Sequence, residues 1–239
     1  MRPRKIVAVK DAPPATGKRA RRRDGAGTRE ALLAAGTELF AEHGYDGVPV
    51  AVVADRAGVN KAMISYHFGG KRQLYLTIVD ATFAEIVASV ERLAAAPRPA
   101  PELLREIVAV VGDMATRRHP HFCTMMLREV LAGGARLEPA LIEHPARMLA
   151  AVQRVVARGV REGDFRPVDP VLTHLSLVGG LVFFFATRRF RERVLARRRP
   201  AVKAPDAAAF VEHMQDLLTC GLAAPGPSGA RRPGHRRRP

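Results

Sequence analysis

The sequence predicts an all-α protein of about nine helices, and three observations lead there. Apolar residues recur three and four positions apart over long stretches, the spacing that lines one face of a helix. No segment alternates apolar and polar residues as a half-buried strand does. Glycine and proline clusters punctuate the chain at Gly44 and Gly47, Gly58, Gly69-Gly70, Pro97 to Pro101, His119-Pro120, Gly133-Gly134, Gly163 to Pro170 and Pro200 to Pro205, each a break between helices.

The first helix is expected over 28–43, opened by Thr28, whose hydroxyl can accept from a first-turn amide, and lined by Leu32, Leu39 and Phe40. Short helices over 49–56 and 60–67 flank Gly58. The fourth, 71–95, carries Leu74, Ile78, Thr82, Phe83, Ile86, Val90 and Leu93 at helical spacing. Helices over 102–118 and 121–132 are bounded by the proline-rich stretch, by His119-Pro120 and by Gly133-Gly134. A long helix over 139–162 stops at Gly163. Asp169-Pro170 opens the eighth, 170–188, with a carboxylate at the cap and a proline where no amide donor is needed. Asp206 after Pro205 opens the ninth, 206–221. Residues 1–27 and 223–239 mix Pro, Gly and Arg without periodicity, so both are expected to be disordered basic arms. Between them, the chain divides into a domain over 28–76 and a larger helical domain over 77–222.

The formal net charge of +16 points to nucleic acid or an anionic surface. Its distribution is uneven. Residues 1–23 hold nine basic groups and one acid, residues 225–239 five and none, and Arg188 to Arg199 seven and one. The body is therefore close to neutral. Arginine outnumbers lysine 33 to six, and with so much alanine that bias also fits GC-rich coding. The Arg188 to Arg199 run is expected to extend or follow the eighth helix as a solvated face.

Several classes are argued against. Two distant cysteines, Cys123 and Cys220, build neither a disulfide framework nor a cysteine-rich metal site, and no secretory pattern follows the basic start, so a cytoplasmic protein is expected. The apolar stretch Leu175 to Ala186 is too short to span a bilayer, and no membrane association is expected. His119, His121 and Cys123 cluster in sequence, but on a helix begun at Pro120 the latter two diverge by about 200°. No metal or cofactor is expected. Without a phosphate-cradling glycine loop or a nucleophile elbow, neither is catalysis. Arg128-Glu129 and Glu143-His144 read as solvated helix faces.

Residues 49–68, PVAVVADRAGVNKAMISYHF, carry helix-turn-helix grammar. Ala54 is small where two helices approach, Gly58 permits the turn, Val53, Val59 and Ile64 form a small core, and Asn60 caps the second helix. Lys61, Ala62, Met63, Ser65, Tyr66 and His67 then fall on or near the outer face, where such a helix meets the major groove. Residues 24–76 hold five basic groups against six acids, so the motif domain is about neutral. Phosphate neutralisation supplies most non-specific affinity, which makes the arm before Thr28, with Lys18 to Arg23, the candidate source of electrostatics.

The segment TREALLAAGTELFAEHGYDGVPVAVVADRAGVNKAMISYHFGGKRQLY resembles the N-terminal domain of the TetR/AcrR family of transcriptional regulators. The informative positions are Phe40, Gly44, Tyr45, Val53-Ala54, Ala57-Gly58-Val59, Ile64, His67-Phe68, Lys71 and Leu74, without a gap. The resemblance implies a three-helix helix-turn-helix DNA-binding domain joined to a helical ligand-binding and dimerisation domain. It places Lys61, Met63, Ser65, Tyr66 and His67 on the recognition helix and Lys71 beside a phosphate. The chain departs from the family at Val48-Pro49-Val50, where a hydroxyl residue is usual, and at Ser65, where tyrosine is common; Ser65 and Tyr66 both remain candidates for the backbone contact.

The same resemblance implies a homodimeric, ligand-responsive repressor of a palindromic operator, with a small-molecule effector of unknown identity. Leu175, Val178, Leu181, Val182, Phe210, Met214 and Leu217 are expected at the dimer interface, with Gly179-Gly180 letting helices approach; an internal core helix is the lesser alternative. Phe83, Phe122, Met125, Met126, Met148 and His174 are expected around a ligand pocket, or else are ordinary core residues. A DNA-binding architectural or constitutive factor without a ligand is the alternative.

Overall fold

The computed structural model describes residues 25–198 and 202–225. Ten α-helices follow in order: α1 (Gly25–His43), α2 (Val50–Ala57), α3 (Ala62–Phe68), α4 (Lys71–Ala95), α5 (Ala100–Asp113), α6 (Phe122–Leu131), α7 (Pro139–Glu162), α8 (Pro170–Ala186), α9 (Arg188–Leu195) and α10 (Ala207–Leu222). Among the described residues the sole extended pairing is an isolated antiparallel bridge between Phe165 and Ala223.

The helices depart from the sequence expectation in three places. First, α1 begins at Gly25, inside the stretch assigned to the basic arm, and Thr28 is buried in its first turns rather than capping it. Thr28 shares a face with Leu32, Ala35 and Leu39, so packing draws it inward. Second, the helix expected over 102–118 leaves α-geometry at Met114 and continues to Arg118 as a π-helical turn. The His119 amide closes that turn on the Met114 carbonyl at 2.7 Å, five residues back. Third, the helix expected to reach 188 ends at Ala186, and the chain bends by 71° into α9, so the arginine run forms a helix of its own with no buried residue. The caps of α8 and α10 are as expected. Asp169 accepts from the Val171 and Leu172 amides, and Asp206 from that of Ala209.

Two hydrophobic cores organise these helices. The smaller joins Leu32, Leu39 and Phe40 of α1 to Val53 and Ala54 of α2, Ile64 and Phe68 of α3, and Leu74 to Val79 of α4. The larger joins Ile86 to Ala94 of α4 to Leu103, Leu104 and Ile107 of α5, Met148 and Val155 of α7, Leu177 and Leu181 of α8, and Met214 and Leu218 of α10. Helix α4 thus serves both, and the expected boundary at residue 76 falls inside it. It is long and apolar enough to cross a membrane, but more than half of it is buried within the protein, where its apolar side chains join the two cores. One close approach fixes the larger core: a Cβ placed on Gly112 of α5 would collide with Val211 Cγ2 of α10.

Candidate nucleic-acid interface

The turn between α2 and α3 is built from local chemistry. Pro49 precedes α2 in extended geometry and offers its carbonyl to the Val52 and Val53 amides, with no side-chain cap. Gly58 ends α2 at φ +67°, a left-handed conformation strained for any residue with a Cβ, and the Val59 amide reaches back to the Ala54 carbonyl at 3.0 Å. Asn60 then accepts the Ala62 amide on its side-chain oxygen at 2.8 Å, supplying the expected cap. Val53, Ala54 and Ile64 are fully buried behind the turn, and Val59 packs partly against them.

That burial sorts α3 into two faces. Ile64 and Phe68 point into the smaller core, while Lys61, Ala62, Ser65 and Tyr66 are exposed and Met63 and His67 are half-buried at the margins. Tyr66 is 78% exposed and stands edge-on to His67, ring centroids 4.9 Å apart.

The cations of this domain are unequally available. Arg56 is held by Glu38 at 2.8 Å and Arg72 by Glu138 at 2.8 Å. Arg29 lies over the Phe68 ring, and Lys71 Nζ sits 4.4 Å from the Tyr45 centroid. Among the described residues of α3 and its turn, Lys61 is the exposed cation with no carboxylate partner. Arg23 lies outside the described residues, as does all of 1–24.

The expected dimer residues divide. Leu181 and Met214 are buried within the chain's own larger core, so both face inward. Val178, Val182 and Phe210 are half-buried, Phe210 stacking on Phe184 with centroids 3.7 Å apart. Leu175 and Leu217 are 58% and 55% exposed, and the same surface carries exposed Leu172, Gly179 and Phe183. A Cβ on Gly179 would meet nothing within 4 Å.

The expected pocket residues divide too. Met125 and Met126 are packed into the smaller core and Met148 into the larger. Phe83 and Phe122 meet edge to face at 4.9 Å, and His144 stacks on Phe83 at 5.6 Å. His174 is half-buried; its Nδ1 has no partner, and burial pushes its pKa below the ordinary imidazole value. A cavity of 370 Å³ lies elsewhere, between the start of α8 and the end of α10, lined by Val168, Leu172, Thr173, Ser176, Leu218 and Leu222 among others.

Arg128 and Glu143 are exposed as expected, but their neighbours Glu129 and His144, expected on the same solvated faces, are not. Glu129 is 1% exposed and accepts the Tyr75 hydroxyl at 2.7 Å; burial, then Glu129 itself, raises the phenol's pKa far above its usual range. His144 is buried and donates from Nε2 to Asp80 at 2.8 Å. Both positions continue the apolar spacing of their helices, Glu129 after Phe122, Met125 and Met126, and His144 between Leu141 and Met148. That spacing was the signal for their burial.

A model of bacterial regulatory proteins of the tetR family matches residues 32–78, and one of the tetracyclin repressor-like C-terminal domain matches residues 100–221. The chain is 29% identical over 177 residues to the HTH-type transcriptional repressor NicS of Pseudomonas putida, spanning 73% of this chain and 82% of that one. Its fold matches the TetR family regulator PfmR of Thermus thermophilus with a TM-score of 0.64 and 25% identity, covering 79% of this chain and 97% of the other. It also matches FadR of Bacillus subtilis, solved in complex with stearoyl-CoA, with a TM-score of 0.63 and 17% identity over 81% and 98% of the two chains. With an α3 whose polar face is exposed and whose apolar face is anchored in the domain core, the chain belongs to the TetR family and is a DNA-binding transcriptional regulator.

Proposed function

We propose that this regulator is a homodimeric, effector-responsive repressor of a palindromic operator, acting in the cytoplasm. The observation that carries the DNA reading is the outward face of α3. Lys61, Ala62, Ser65 and Tyr66 meet the major groove, Met63 and His67 flank them, and Lys71 approaches a phosphate. Lys71 exchanges its contact with Tyr45 for one with the backbone. Pairing through the exposed apolar faces of α8 and α10 presents two reading helices to half-sites about 34–36 Å apart, or slightly more.

The effector binds beside α4, where Phe83, Phe122 and His144 cluster and His144 keeps a buried Nδ1 without a partner; His174 of α8 carries a second such nitrogen. Those nitrogens suit a largely apolar ligand carrying a polar group; the FadR relative was solved with stearoyl-CoA. Because α4 belongs to both cores, a ligand that prefers one placement of α4 shifts the spacing of the reading helices.

The test is titration against a fragment from the protein's own upstream region and a scrambled control at several salt concentrations, with mass measured by light scattering. Tight, sequence-dependent binding by a dimer supports the proposal. Equal binding to both fragments that vanishes as salt rises favours an architectural factor.

A further inference from the structure

A second cavity, of 210 Å³, opens between the end of α1, the turn into α2 and the end of α6. Pockets for drug-sized ligands begin at about 300 Å³, so this one admits a smaller molecule. Glu129 of α6 lines it with a carboxylate that is only half used. Oε1 accepts the Tyr75 hydroxyl at 2.7 Å and Arg136 Nη1 at 3.4 Å. Oε2 is buried and accepts nothing. A buried carboxylate oxygen without a donor is destabilising, so its retention calls for a role.

Charge around the cavity narrows the choice of occupant. The lining holds two guanidiniums, Arg128 and Arg136, two carboxylates, Asp46 and Glu129, and the His43 imidazole, whose Nε2 lies 3.8 Å from Glu42. Arg136 is occupied by Asp46 at 2.5 Å and by Glu129 Oε1. Arg128 donates to the Glu42 carbonyl at 3.1 Å, and among the described residues no carboxylate pairs with it. What remains unmatched is one acceptor, Glu129 Oε2, and one cation, Arg128. The Tyr45 ring already faces two cations, Lys71 at 4.4 Å and Arg136 at 5.4 Å, which disfavours a third unaccompanied positive charge. Phe40, Tyr45 and Tyr75, packed with centroids 5.2 to 6.0 Å apart, supply an apolar wall.

We propose that this junction is a second small-molecule site, selective for a zwitterion of the α-amino-acid class. The ammonium group meets Glu129 Oε2, the carboxylate meets Arg128, and a short side chain lies against the aromatic wall. The occupant bridges α6 to the turn that positions α2, so its binding is felt by the reading helix. That consequence rests on the regulator reading above; the binding itself does not.

The experiment is calorimetric titration of the full chain, without DNA, with glycine, L-alanine, L-valine and L-leucine, using ethylamine and propionate as single-ended controls. At least one amino acid is expected to bind with a Kd of about 1 mM or tighter, and each control at least about tenfold more weakly. Glu129→Gln and Arg128→Gln should each weaken that binding about tenfold or more; Arg128 is exposed, so its variant keeps the fold, which circular dichroism verifies for both. Absence of binding by all four amino acids overturns the proposal, as does equal binding of either control or undiminished binding by both variants. Since no DNA is present, failure here leaves operator reading intact, and failure of operator reading leaves this site intact.

Discussion

Leu175→Ala tests the proposed dimer face where loss of assembly and loss of folding can be separated. Leu175 is 58% exposed in the single chain and lies on the outer side of α8, so its truncation removes little from the protomer's core. Full burial of a leucine side chain is worth about 1.5–3 kcal/mol, and burying the part now exposed contributes a little over half of that. A two-fold axis counts the contact twice, which gives about 2 kcal/mol per dimer and a dissociation constant raised roughly 30-fold. Sedimentation equilibrium across a concentration series measures that constant directly, with thermal unfolding at high dilution reporting on the protomer. A dimer constant within about twofold of the unmodified chain, with unfolding unchanged, would refute the assignment of this face.

Four further outcomes are expected. Lys61→Ala should weaken operator binding about tenfold in fluorescence anisotropy and reduce the salt slope by about one, with dimerisation intact; full retained affinity counts against its placement on DNA. Deleting residues 1–23, which carry nine of the basic groups, should weaken binding at every DNA sequence and flatten the salt dependence; an unchanged slope sinks the idea. Gly112→Ala drives a methyl into Val211 and should cost about 1–3 kcal/mol, or several degrees of Tm by calorimetry, with Val211→Ala restoring much of it; additive losses would exclude that contact as the cause. Burial lowers the folded-state pKa of His174, so the unfolded chain binds its proton first: stability is full above about 6.5 and declines as pH falls through the folded value. His174→Asn should therefore shallow the loss of Tm between about pH 7 and 5, and an identical profile would show that the imidazole contributes nothing.

Much of the reading domain was legible in the sequence because its determinants are local. Gly58 must take a left-handed dihedral, Asn60 must satisfy an amide two residues on, and Ile64 and Phe68 are spaced to share one face of a helix. Those requirements involve residues within about one helical turn, so spacing and residue type expose them, and with them the outward set Lys61, Ser65 and Tyr66. The bounds of α4 and α7 were legible for the same reason, each being marked by glycine at one end, Gly70 or Gly163, and by proline at the other, Pro97 or Pro139.

What lies across from a helical face is a long-range matter, and there the sequence was silent. Periodicity showed that α6 and α8 each have apolar stripes without saying which neighbour covers them. Met125 and Met126 joined the smaller core instead of a pocket, and Leu181 turned inward while Leu175, under two turns away, stayed outside. Charge was equally ambiguous. Glu129 and His144 are polar residues at core spacing, and only partners distant in the chain, Tyr75 and Asp80, make their burial tolerable. Helical phase, caps and turn glycines follow from dihedral preferences and near neighbours; the identity of a buried partner follows from packing of segments far apart in sequence, which a single chain of letters does not encode locally.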